Sequence, residues 1–170
     1  MIYDKEISTS MYNIPVNKGN EASVYLKYII DYYDNLSEYT FFIHDEEFSW
    51  HHEGSIYDQF QNAINSKEKY YNINHLILGS IINVPAFANI SIWYNKYIEE
   101  YIPINSLPQK DWTKNHKGAA QFLVHKSLIL KLPKIFYENL YNWIITTDEP
   151  SSSTGRYLEW TWHLFWDILW

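Results

Sequence analysis

The sequence predicts a single α/β domain with a mostly parallel sheet flanked by helices. Three observations predict it. Short apolar runs at 39–44, 73–82 and 118–125 are separated by stretches whose apolar residues recur at helical spacing. One run, Thr40 to Ile43, stops abruptly in His44, Asp45, Glu46 and Glu47, and acids and imidazoles at the carboxyl end of a strand are where an open α/β sheet puts its chemistry. The length of 170 residues fits one domain able to bury a real core.

Residues 1–5 read as a strand, and the polar stretch 6–20, with Pro15, Lys18 and Gly19, as a loop. Asn20 is a plausible N-cap for a helix whose inner face carries Ala22, Leu26, Ile29 and Tyr33, ending at Asn35. With the strand at 39–44 this makes β-α-β, and a right-handed crossover would lay the two strands parallel. Gly54 and Ser55 form a turn and cap before a helix over 55–65. Residues 66–72 are polar, and 73–82, rich in Ile and Leu, contain a strand followed by a loop. A helical segment at 90–101 carries Trp93, Tyr97 and Ile98, and 102–117 reads as a long surface loop. Gly118 to His125 is the next strand, with small residues at its start that permit close backbone approach. Ser127 caps a short helical turn, and Pro133 sits at N1 of a helix reaching Ile145. Residues 146–154 form a loop, and the last helix runs from about Gly155 to the end. Its stripe is Leu158, Trp162, Phe165 and Leu169, with Arg156, Glu159 and His163 together on another face.

Aromatic content is high at 19%, with 16 Tyr and 8 Trp. Either the core is built from rings, or some rings line a groove that stacks sugars or bases. A net charge of −7 argues against a general nucleic-acid binder, because neutralising phosphates needs clustered cations. Arg156 is the sole arginine, and the absence of cysteine excludes disulfides and thiolate metal sites. No signal peptide or membrane-length apolar run is present, and the composition suits a cytoplasmic protein. No GxGxxG, P-loop, HExxH or GxSxG motif occurs.

Four constellations can carry chemistry. His44, Asp45, Glu46 and Glu47 suit Mg²⁺, Mn²⁺ or Zn²⁺, and Asp45 and Glu47 share a side of an extended chain; a solvated acidic turn has the same composition. Of Trp50, His51 and His52, His51 is the better candidate to bind a metal or a substrate phosphate, the alternative being two surface histidines beside a packed Trp. Glu159, partly buried beside tryptophans, can have a raised pKa and serve as general base, with His163 aimed at the same place; an Arg156–Glu159 pair with an exposed histidine is the other reading. Gly118 can admit a ligand to the backbone and Gln121 is a polar group on an apolar strand, although plain packing would use the same residues.

Residues 17–36, 41–51, 118–125 and 155–163 together resemble a domain-of-unknown-function family of fungal, algal and large-virus proteins, similar to GT-A type glycosyltransferases. The resemblance covers nearly the whole chain. It implies a nucleotide-sugar donor, a glycan acceptor, and Mn²⁺ or Mg²⁺ held by Asp45, Glu47 and His163. It implies Glu159 as the catalytic acidic residue and His44, Trp50, His51, Gly118, Gln121 and Arg156 as substrate-binding residues. The chain departs from the pattern in having Asp-Glu-Glu in place of Asp-x-Asp. It also reads as lacking the usual first strand and helix, which help to hold the nucleotide. A carbohydrate-binding remnant without activity, a metal-dependent hydrolase, and an interaction domain with no ligand are the competing functions; in viral relatives the location would be host cytosol.

Overall fold

The computed structural model describes residues 12–75, 77–78, 90–103 and 116–166. Helix α1 (Asn20–Tyr32) buries Ala22, Tyr25, Leu26 and Ile29 along one face, as the periodicity predicts. Its N-cap is Gly19, one residue before the expected Asn20, at φ 75°. Glycine is needed here twice over. The backbone is left-handed, and a Cβ would lie 2.4 Å from Cγ2 of Ile144. A 3-10 turn (Tyr33–Asn35) follows α1 and leads to strand β1 (Tyr39–Phe42).

Ser55 caps α2 (Ile56–Ser66) as predicted, its hydroxyl oxygen accepting from the Asp58 amide. Strand β2 (Tyr70–Asn72) comes next, in a stretch whose polar composition concealed it. The short β3 (Ile77–Leu78) pairs antiparallel with β4 (His116–Lys117), with α3 (Ile90–Tyr97) between them in sequence. Strand β5 (Phe122–His125) runs straight into α4 (Lys126–Ile129). There the cap is the His125 ring, accepting from the Ser127 amide at 3.1 Å, rather than the Ser127 side chain. Pro133 is the N-cap of α5 (Lys134–Thr146). Pro150 likewise precedes α6 (Ser151–Glu159), which takes up part of the expected 146–154 loop.

The expected continuous last helix is broken. After α6 the chain turns at Trp160 and Thr161 and resumes as α7 (Trp162–Trp166). The Thr161 hydroxyl donates to the Tyr157 carbonyl at 2.7 Å, a local side-chain bond that competes with helix continuation. The i, i+3, i+7 alignment of Arg156, Glu159 and His163 therefore does not hold across the turn.

The main correction concerns the sheet. Its order is β1-β5-β2, and β5 runs antiparallel to both neighbours, with Phe42 opposite Phe122 and Asn72 opposite the same residue. The expected mostly parallel, GT-A-like sheet is not what these strands form. The expected strand at 1–5 lies outside the described residues, as do 79–89 and 104–115. The misreading has a physical source. Continuous apolar runs mark strands covered on both faces, and parallel strands are the usual case. Here β5 is an antiparallel centre strand that is equally covered. Phe122 and Val124 face the main core with α1, α5, α6 and α7, whereas Leu123 faces a second cluster with Ile56 and Ala63 of α2. All three are at most 1% exposed.

Most of the rings belong to this core. Phe122 lies 5.3 Å from Trp166 and 5.8 Å from Trp162, and Trp143 stacks on Tyr157 at 5.9 Å. Tilted and edge-on ring pairs of this kind each contribute about 0.5–1.5 kcal/mol beyond area burial. Phe48, Trp50 and Tyr57 stand apart, each about two-thirds or more exposed at 67%, 68% and 71%.

Candidate functional site

Sheet direction decides what meets at the site. Because β5 opposes β1 and β2, the residues following β1 and β2 lie at the same sheet edge as those preceding β5. His44, Asn74, His75 and Gln121 are brought together in this way. The His44 amide donates to Oε1 of Gln121 at 3.2 Å, and the Asn74 side chain donates to the Gln121 carbonyl at 2.9 Å. The loop after β1 then folds back over this edge. The His51 ring sits 4.9 Å from that of His44, edge to face, and the His75 amide donates to the His51 carbonyl. Trp50 covers His51 at 3.8 Å between centroids.

Two helices bring acids to the same place. Helix α6 approaches the start of α1 closely: a Cβ on Gly155 would lie 2.9 Å from the Asn20 side chain and 3.2 Å from the Gly19 carbonyl. The Ser151 hydroxyl oxygen accepts from the Gly19 amide at 3.1 Å. Glu159, one turn beyond Gly155 on the same face, thereby reaches Glu21 in the first turn of α1. Their side chains hydrogen-bond, which requires one carboxyl to be protonated. Burial raises Glu159 from 4.5 to about 7, with Glu21 adding to the effect and Arg156 and His44 opposing it. Burial, then Glu21 and Glu159, push the Tyr25 hydroxyl up. Burial also lowers His44, against the pull of Glu159, Glu46 and Asp45. It lowers His51 to about 4, assisted by His44, His52 and His75.

The predicted residues divide into two groups. His44, Trp50, His51, Gln121 and Glu159 gather at this edge. Arg156 is exposed on α6 and acts on Glu159 through its charge. Asp45 and Glu47 are exposed in the loop, and the Glu47 carbonyl accepts from the Ile56 amide at the start of α2. His163 is buried in α7, beyond the Trp160–Thr161 turn. The Gly118 carbonyl accepts from the Asn72 side chain at 3.2 Å, and it is Ala119, at φ 66°, that takes the left-handed backbone in this turn. Among the described residues, no three or more His, Asp or Glu side chains are arranged to hold a metal ion.

Residues 1–74 and 90–168 match the family described as a protein of unknown function, DUF3431. The chain belongs to this family. No curated protein and no solved structure matches the chain significantly. The match to DUF3431 takes in 20–52, 118–159 and Asn74 of the sheet edge, and names no reaction. No helix among the described residues is long and apolar enough to cross a membrane.

In this DUF3431 chain, sequence reasoning missed Glu21, Tyr25, Asn74 and His75. Glu21 was hidden by its position, because an acid in the first turn of a helix is ordinary dipole chemistry. Asn74 and His75 follow a strand that polar composition masked. The one usable signal was the glycine pair Gly19 and Gly155, which marks where two helices approach closely.

Proposed function

We propose that the sheet-edge cluster is an acid–base site at which Glu159 takes the proton from a sugar hydroxyl during glycosyl transfer from a nucleotide-sugar. The observation that carries this reading is the Glu21–Glu159 carboxyl pair. A general base works best with a pKa near the operating pH, and burial together with a second carboxyl brings Glu159 to about 7. Glu21 positions and tunes Glu159.

In the proposed step the acceptor oxygen forms a bond to the anomeric carbon as its proton passes to Glu159. The bond from that carbon to the diphosphate oxygen breaks, and the nucleoside diphosphate leaves with the electron pair. The donor class comes from the sequence resemblance to GT-A enzymes, and the antiparallel sheet adds no support to that likeness. Among the described residues Asp45, Glu47 and His163 are not gathered into one ligand set, and no step is routed through Mn²⁺ or Mg²⁺.

A second reading, carbohydrate binding without turnover, is favoured by the exposed Phe48 and Trp50 in the loop beside the site and Tyr57 in the first turn of α2. Titration calorimetry with UDP- and GDP-sugars, with and without Mn²⁺, and with glycans, together with a sugar-transfer assay, separates the two. Transfer expects nucleotide-sugar binding and turnover that Glu159→Gln abolishes. Glycan binding that survives EDTA and Glu159→Gln, with no nucleotide-sugar binding, leaves the second reading. No binding of either ligand overturns both.

A further inference from the structure

We propose that His44, His51 and Gln121, under the Trp50 ring, form a subsite for an uncharged carbohydrate, the acceptor sugar, and not for a phosphate. The inference rests on the preceding reading of the site and assigns the ligand class of one part of it.

Hydrogen-bonding capacity is concentrated there without being used. Nε2 of His44, Nδ1 of His51 and Nε2 of Gln121 are all buried and have no hydrogen-bond partner among the described residues. Both ring nitrogens of His52, the next residue along, are in the same condition. Buried polar atoms without partners are uncommon, and each carries a desolvation cost that a ligand's polar groups would relieve. The three side chains are contiguous. The His44 backbone amide bonds the Gln121 side chain, and the two imidazoles sit at 4.9 Å. Gln121 is fully buried, so its carboxamide is held in place by the surrounding fold.

Charge selects the ligand. The ionisable groups whose fields reach His44 are Glu159, Glu46, Asp45 and His52. Those reaching His51 are the imidazoles of His44, His52 and His75. Among the described residues no lysine or arginine belongs to these groups, and the acids disfavour a diphosphate. Burial keeps both imidazoles predominantly neutral at physiological pH, each ring then offering one donor and one acceptor. That pattern matches vicinal hydroxyls. Trp50, 68% exposed, stacks on His51 through one face and leaves its outer face free, an apolar surface at the rim of the subsite for the C–H side of a sugar ring. The charge of Glu159 acts on His44, which places the proposed base on the same side of the sheet edge as this subsite.

The test is a titration of the full chain, ¹⁵N-labelled at histidine, followed by imidazole NMR. The probes are the methyl glycosides of glucose, galactose, mannose and N-acetylglucosamine, and inorganic diphosphate. The expected result is saturable displacement of the His44 and His51 resonances by at least one glycoside and none by diphosphate. Trp50→Ala, which removes an exposed side chain and leaves the fold intact, should weaken glycoside binding about tenfold. Displacement by diphosphate, no displacement by any glycoside, or glycoside binding indifferent to Trp50→Ala overturns the proposal. Glu159→Gln separates this inference from the acid–base reading. Glycoside binding persists in that variant if the subsite is as proposed, and loss of transfer in it bears on the base alone.

Discussion

Replacing Glu159 by Gln should stabilise the protein at alkaline pH and leave it nearly unchanged in mild acid. The folded state holds the Glu159 proton to about 7, and an unfolded chain releases it near 4.5. Between those values the folded state binds more protons than the unfolded one, so stability falls as pH rises through the window. The penalty is absent below 4.5 and complete above 7. The shift of about 2.5 units is the difference between the two values. At about 1.36 kcal/mol per unit it amounts to roughly 3 kcal/mol, a ceiling because the Glu21 pair shares it and water reaches part of the site. Gln keeps the shape and can donate to Glu21, so about 2 kcal/mol of that penalty should be relieved at pH 8. Urea unfolding followed by tryptophan fluorescence at pH 4.5, 6 and 8 measures it. A difference between variant and wild type that is the same at all three pH values would refute the shared-proton pair, and with it the main support for Glu159 as base.

Gly155→Ala inserts a methyl group between α6 and the start of α1, 2.9 Å from the Asn20 side chain. It should cost about 1–2 kcal/mol and draw the Glu159 pKa back toward the ordinary carboxyl range as the two acids separate, seen by carboxyl NMR titration. Gly19→Ala should cost more, about 2–4 kcal/mol in urea unfolding, because a left-handed backbone and a 2.4 Å approach to Ile144 combine. Ser55→Ala should lower stability by about 1 kcal/mol through loss of the α2 cap. The His51 imidazole should remain neutral from pH 8 down to about 5, with its midpoint near 4 in a ¹⁵N titration. An unfolded chain protonates it near 6.5, so this residue withdraws stability as pH falls through that window, opposite in sense to Glu159.

The local elements were largely legible in the residues. Helices α1, α2 and α5 follow from apolar residues at helical spacing, and Ser55 before α2 from its capping hydroxyl. The runs at 39–44 and 118–125 each contain a strand, Tyr39–Phe42 and Phe122–His125, shorter than read because 118–121 form a turn. The Glu159 carboxyl was singled out from its partial burial among tryptophans, a property that helical spacing encodes. The place of aromatic residues was legible only in part, since spacing cannot say which rings the core consumes.

Strand direction was not written locally. An apolar run states that a strand is covered on both faces, and the pairing that covers it depends on segments 80 residues away in sequence, as Phe42 opposite Phe122 shows. The antiparallel order in turn decided the site. It put the ends of β1 and β2 beside the start of β5, and so placed His44, His51 and Gln121 together. The turn at Thr161 removed His163 from the alignment with Glu159, because a side-chain hydroxyl bonded to the backbone where the periodicity would have continued. Glu21 entered only through the packing of Gly155 on Gly19 and Asn20. The acids and imidazoles at 44–52 were visible as a cluster in the sequence; the partner carboxyl that adds to burial in raising Glu159 came from a contact 138 residues apart, between Glu21 and Glu159, which only the folded chain could make.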